Sequence, residues 1–121
     1  MATTPEGRVK NVVKRMLDKY GVYHFSPATG GYGSSGIPDI ICCYFGKFIG
    51  IECKAGKNKP TALQELSIAK IRLNRGYAFV INETNYAELE EVLQEIKAAH
   101  ADLPPDNLTS SLDKKGEGET F

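Results

Sequence analysis

The chain has 121 residues, enough for one domain around one core. Hydrophobic residues make up 41% of it. No apolar run approaches the roughly 20 residues that cross a bilayer, and the first residues, MATTPEGRVK, lack an apolar signal-peptide core. A membrane-spanning or secreted protein is therefore not expected, and the expected location is cytoplasmic. The formal net charge is zero, but residues 1–75 carry 12 Lys and Arg against 5 Asp and Glu, while residues 76–121 carry 3 against 10. The first part is the one that attracts a polyanion.

Cys42, Cys43 and Cys53 are an odd number and lie inside apolar runs. That fits buried free thiols in a reducing compartment better than a disulfide framework, and the spacing is not that of a zinc site.

Thr4-Pro5-Glu6 is a helix start: a hydroxyl cap, a proline in the first turn and an acid facing the positive end of the dipole. Val9, Val12, Val13, Met16 and Leu17 follow at helical spacing, and Gly21 ends the helix. Val22–Ser26 reads as a short strand, in which His24 is expected to be packed or hydrogen-bonded rather than catalytic. Residues 29–36, TGGYGSSG, are too glycine-rich for a regular element. There, backbone N–H groups and the hydroxyls of Ser34 and Ser35 suit phosphate, and Tyr32 suits stacking on a base or sugar. No GK(S/T) ending follows, so a nucleotide cofactor is not expected.

Residues 36–54, GIPDIICCYFGKFIGIECK, form the stretch with the most chemistry. Two apolar runs meet at Gly46-Lys47 and read as a hairpin with strands at 38–45 and 47–54, buried on both faces. Asp39 opens the first strand and Glu52 closes the second. Counted from Gly46 they lie seven back and six forward, so pairing sets them opposite each other. Glu52 and Lys54 are two apart and share a face, with Cys53 on the other. Two carboxylates so placed repel each other unless a cation lies between them, and hard oxygen donors select Mg²⁺, with Mn²⁺ as its substitute. An ion pair between Glu52 and Lys54 alone leaves Asp39 unexplained.

Lys57 and Lys59 follow in a basic connection placed to meet backbone phosphates. Pro60-Thr61 starts a second helix, with Leu63, Leu66, Ala69, Ile71 and Leu73 as a broad apolar side and Gly76 as its end. Tyr77–Ile81 reads as a buried strand, joined through that helix in parallel to the strand of Glu52. Residues 82–99 read as a third helix with Leu89, Val92, Leu93 and Ile96 inward. From residue 100 the composition turns polar, and 100–121 reads as a flexible tail.

Pro38-Asp39, followed after 12 residues by Glu52-Cys53-Lys54, matches the PD-(D/E)xK nuclease signature. With the Gly-Ser loop before Gly36-Ile37-Pro38-Asp39, residues 1–97 resemble the virus-type replication-repair nuclease (VRR-NUC) family. The resemblance implies an α/β, restriction-endonuclease-like domain over residues 1–99. Its mixed central sheet of about four strands is flanked by helices in the order α-β-β-β-α-β-α.

The resemblance further implies a divalent-metal-dependent DNA endonuclease that leaves a 5′-phosphate, similar to phage or bacterial Holliday-junction resolvases of DNA recombination and repair. Such proteins act on branched DNA, above all the four-way junction, as homodimers. On this reading Asp39, Glu52 and the main-chain carbonyl of Cys53 hold the metal, and Lys54 is the catalytic lysine. Glu6 is either a reach toward the metal from the first helix or simply a dipole-compensating acid. Gln64 either orients Lys54 or is a solvent-facing helix residue. A less selective nickase, a flap nuclease and a non-catalytic nucleic-acid-binding module are the alternatives.

Overall fold

The computed structural model of the chain describes residues 3–28 and 36–101. Tyr32, Ser34, Ser35 and the tail from residue 102 lie outside the described residues. Seven elements follow in order: α1 (Pro5–Lys19), β1 (Tyr23–Phe25), β2 (Ile40–Tyr44), β3 (Lys47–Cys53), α2 (Ala62–Leu73), β4 (Tyr77–Ile81) and α3 (Tyr86–Ala99). This is the expected element order, and the fold is α/β.

The four strands form one mixed sheet in the order β1-β2-β3-β4. β1–β2 and β2–β3 are antiparallel, while β3–β4 is parallel because α2 carries the chain across the sheet between them. Phe45 and Gly46 join β2 to β3 with φ of 49° and 80°. Two positive φ values in a two-residue loop make a turn whose twist matches the strands. It sets the register in which Tyr44 pairs with Lys47 and Ile40 with Ile51.

α1 begins as its sequence predicts, with the Thr4 hydroxyl accepting from the backbone N–H of Gly7 at 2.9 Å. Val9, Val13 and Leu17 are its buried stripe, and Leu89, Leu93 and Ile96 are that of α3. Both helices pack on the sheet face formed by Ile40, Cys42, Tyr44, Ile49, Ile51, Cys53 and Ile81, which makes the main core. Glu90 ties the two helices at the rim, accepting from Lys19 Nζ and the Tyr20 hydroxyl, each at 2.8 Å. α3 starts later than residue 82 because Asn82 and Asn85 are used in a turn. Asn85 Oδ1 accepts from the N–H of Asn82, and Asn85 Nδ2 donates to the Val80 carbonyl.

The opposite face differs from the expectation of burial on both sides. Among the described residues α2 alone packs there, over β3 and β4, and Ile68 is its one buried residue. Leu63, Leu66 and Leu73 point outward and are exposed, as are Phe48 of β3 and Tyr23 and Phe25 of β1. The expected burial of both hairpin strands on both faces fails at Phe48 and Cys43, because one helix is too narrow to cover four strands. Cys43 faces the same side and is exposed, so only Cys42 and Cys53 are buried thiols, each pushed up to about 12 by burial.

Candidate active site

Asp39 stands one step beyond the Ile40–Ile51 pair, which puts it opposite Glu52 at the open end of the hairpin. Both belong to the face that carries α2. Asp39 is held by the backbone, its Oδ2 accepting from the N–H of Cys53 at 2.8 Å. Its Oδ1 lies 3.5 Å from Lys10 Nζ on α1.

Two glycines let the site close up. A Cβ on Gly36 (φ 95°) would lie 2.5 Å from the carbonyl oxygen of Leu63, so the segment entering Pro38-Asp39 is pressed against the first turn of α2. A Cβ on Gly50 would lie 2.7 Å from Ile71 Cδ1 and 3.2 Å from Pro38 Cγ. Glycine at that position allows α2 to approach β3 closely enough for Gln64 to reach Glu52.

Gln64 joins the two elements. Its Oε1 accepts from the N–H of Thr61, the Thr61 hydroxyl accepts from the N–H of Gln64, and its Nε2 donates to Glu52 Oε2 at 2.6 Å. The first two bonds form a capping box and fix the rotamer that delivers the third. Lys54 Nζ lies 3.4 Å from the same Glu52 oxygen, so Glu52 and Lys54 share a face. Gln64 reaches the carboxylate itself, whereas the resemblance assigned it to Lys54.

Glu52 is 2% exposed, and it is the buried charged residue among the described residues. Its Oε1 is buried and has no hydrogen-bond partner. Burial first, and then the charge of Asp39, push its carboxyl up to about 7 against the pull of Lys54. An orphaned carboxylate oxygen beside a second carboxylate is a costly arrangement. A cation relieves both the repulsion and the missing partner, so the donor set of Asp39, Glu52 and the neighbouring main chain fits a hard divalent ion.

Glu6 sits half-buried in the first turn of α1. It is close enough to help raise the Cys53 thiol. Among the described residues no three His, Cys, Asp or Glu side chains converge at metal-ligand spacing, so Glu6 is not a third carboxylate in direct contact with Asp39 and Glu52.

Lys57 and Lys59 are exposed on the connection after β3. That connection is anchored where the N–H of Gly56 donates to the Glu83 carboxylate at 3.0 Å; the backbone N–H of Glu83 itself, and then that of Gly56, hold this carboxyl below its ordinary range. His24 is paired with Asp18 at 2.7 Å and stands opposite Cys42 in the sheet. Lys10 is the site residue that the sequence did not single out. It looks like one of several exposed α1 lysines, and only the packing of α1 on the sheet brings it to Asp39.

The site thus sits on a mixed four-stranded sheet, with one acid just before β2, a second near the end of β3 and a lysine two residues after the second. A solved structure described as a VRR_NUC domain superposes with a TM-score of 0.56 at 20% identity, covering 85% of this chain and 100% of that one. The chain therefore has the fold of a VRR_NUC domain. No family model and no curated protein matches its sequence.

Proposed function

We propose that the chain is a divalent-metal-dependent DNA endonuclease that resolves four-way junctions as a homodimer. The observation that carries the chemistry is Glu52: a buried carboxyl with one oxygen unpartnered, opposite Asp39 and beside Lys54. Asp39, Glu52 and the Cys53 carbonyl would hold Mg²⁺ or Mn²⁺, and Glu6 would act through a water. The ion, when bound, supplies the charge that polarises a phosphodiester and lowers the pKa of a water.

The chain's own groups do the positioning. The Cys53 N–H and the Gln64 amide hold the two carboxylates in place. Lys54 brings a cationic donor to the side of Glu52, where it meets the negative charge that develops on the phosphate oxygens. Water adds to phosphorus, the P–O3′ bond breaks, and the 3′ oxygen leaves with a proton, giving a 5′-phosphate. The basic first part of the chain, with Lys57 and Lys59 exposed beyond β3, supplies phosphate contacts. Phosphate contacts of this kind read the shape of DNA rather than its bases. A symmetric junction needs two cuts, and two copies about a twofold axis supply them.

The test is cleavage of labelled four-way junction, flap and linear duplex DNA with Mg²⁺, Mn²⁺ or EDTA, alongside Glu52→Ala. Paired symmetric nicks on the junction, lost with EDTA and in the variant, are expected. Metal-dependent cutting of all three substrates would keep the chemistry and discard junction selectivity. Binding without cutting under any metal would reassign the chain to a non-catalytic nucleic-acid-binding module.

A further inference from the structure

The two carboxylates are bracketed by two lysines of unequal freedom. Lys54 Nζ lies 3.4 Å from Glu52 Oε2, and the Lys54 side chain is 12% exposed. Lys10 Nζ lies 3.5 Å from Asp39 Oδ1, with the Lys10 side chain 36% exposed. One ammonium is enclosed beside the sheet, and the other reaches in from α1 at the rim.

The place of Lys10 follows from the packing of α1. Val9 and Val13 are buried against the sheet, so Lys10, next after Val9, is carried on the flank of the helix toward the open end of the hairpin. Among the described residues its ion pair is with Asp39, although Glu6 stands one turn earlier on the same helix. Asp39 divides its two oxygens. Oδ2 accepts from the N–H of Cys53, and Oδ1 faces Lys10. Oδ1 is therefore the oxygen that the backbone leaves to a metal ion, and it is the one the ammonium approaches. The surrounding charges agree with this placement. Burial first, and then Asp39, Glu52 and Glu6, raise the neighbouring Cys53 thiol, while Lys10 alone among the charges opposes them.

We propose that Lys10 is a tethered competitor for the metal ion, an ammonium that neutralises Asp39 Oδ1 and gives way there when a divalent cation binds. An ion pair at this exposure contributes little, so it yields at small cost. The flexible four-carbon stem lets the ammonium move aside while α1 stays packed. Lys54, enclosed against Glu52, lacks that freedom. Lys10 thus sets how tightly the site takes its ion, and it relieves part of the repulsion between Asp39 and Glu52 until the ion arrives. The inference rests on the metal site proposed above, and on neither the DNA substrate nor the dimer.

Calorimetric titration of the full chain with Mg²⁺, in the absence of DNA, tests it. Lys10→Met and Lys10→Gln remove the charge and keep much of the stem, whereas Lys10→Arg keeps the charge. Both neutral variants are expected to bind Mg²⁺ about 10-fold tighter than the wild type, because a like charge beside the ion is gone. Lys10→Arg is expected to stay within about 2-fold of the wild type. In EDTA the neutral variants should melt below the wild type, and with saturating Mg²⁺ they should gain more in Tm than it does. A lysine with a purely structural role would lower both melts alike and leave the affinity unchanged. Equal or weaker Mg²⁺ binding in both neutral variants, with binding abolished in Glu52→Ala, would overturn the competitor role and keep the metal site. Binding that Glu52→Ala leaves unchanged, or no binding in the wild type and all variants, would overturn both.

Discussion

The side-chain amide of Gln64 donates a 2.6 Å hydrogen bond to Oε2 of Glu52, linking the first turn of α2 to the end of β3. The same side chain closes the capping box with Thr61. One residue therefore starts a helix and aims a buried carboxylate. Gln64→Ala removes both bonds and is expected to cost about 2 kcal/mol of stability. Metal affinity should weaken roughly 10-fold, as for other outer partners of metal ligands. Gln64→Glu keeps the capping acceptor but sets a third carboxylate against Glu52, so it should retain α2 helicity while lowering stability in EDTA. Thermal melts with and without Mg²⁺ separate the two effects.

Glu52 is expected to cost the metal-free protein stability. Glu52→Gln retains the shape and removes the buried charge, so at pH 8 in EDTA it should stabilise the fold by about 1–3 kcal/mol. The same variant should lose DNA cleavage and any rise in Tm on adding Mg²⁺. A variant less stable than wild type in EDTA would mean that the carboxylate is well compensated by Lys54 and Gln64 alone.

The pH dependence has a definite sign. Burial and Asp39 push Glu52 up to about 7 from an ordinary 4.5. The folded chain therefore keeps a proton that the unfolded chain has already released. The resulting destabilisation is absent below about 4.5, grows as pH rises through the window to about 7, and is level above it. In EDTA, wild-type Tm relative to Glu52→Gln should fall across that window. Saturating Mg²⁺ should remove most of the difference at pH 8, because the ion binds the deprotonated form.

Lys54→Ala should separate binding from turnover. The lysine lies at 3.4 Å from Glu52, and in the proposed mechanism it serves the phosphate rather than the ion. Cleavage should fall by about 10²–10³-fold. Mg²⁺ binding, read by calorimetry, should persist at similar affinity, and an equal loss of both would make Lys54 a structural partner of Glu52.

Gly36→Ala probes the approach of the Asp39 segment to α2. The added methyl meets the Leu63 carbonyl at 2.5 Å with a backbone φ of 95°, so neither strain nor contact is relieved without movement. A loss of about 1–3 kcal/mol is expected. Metal affinity should fall with it, because Pro38-Asp39 must shift. A variant with normal melting and normal metal binding would show that the segment moves freely of the helix.

Local pattern was enough to read the order of the seven elements and the opposition of Asp39 to Glu52. Strand periodicity and a two-residue turn leave one register in which residues 40 and 51 pair, and that register carries the acids with it. The shared face of Glu52 and Lys54 follows from the same period of two. The cap at Thr4 and the stripe of Val9, Val13 and Leu17 were equally legible, because both are properties of a single helix. The leucines of α2 could be read only as a broad apolar side, since an apolar residue looks the same in sequence whether or not it meets the sheet. Whether Leu63, Leu66 and Leu73 are core depends on how wide a surface one helix covers. Lys10 beside Asp39, Gln64 on the carboxylate and the unpartnered Glu52 oxygen belong to the packing of α1 and α2 on the sheet. Those contacts span up to 29 residues of chain, and only tertiary structure brings such distant groups within hydrogen-bond range.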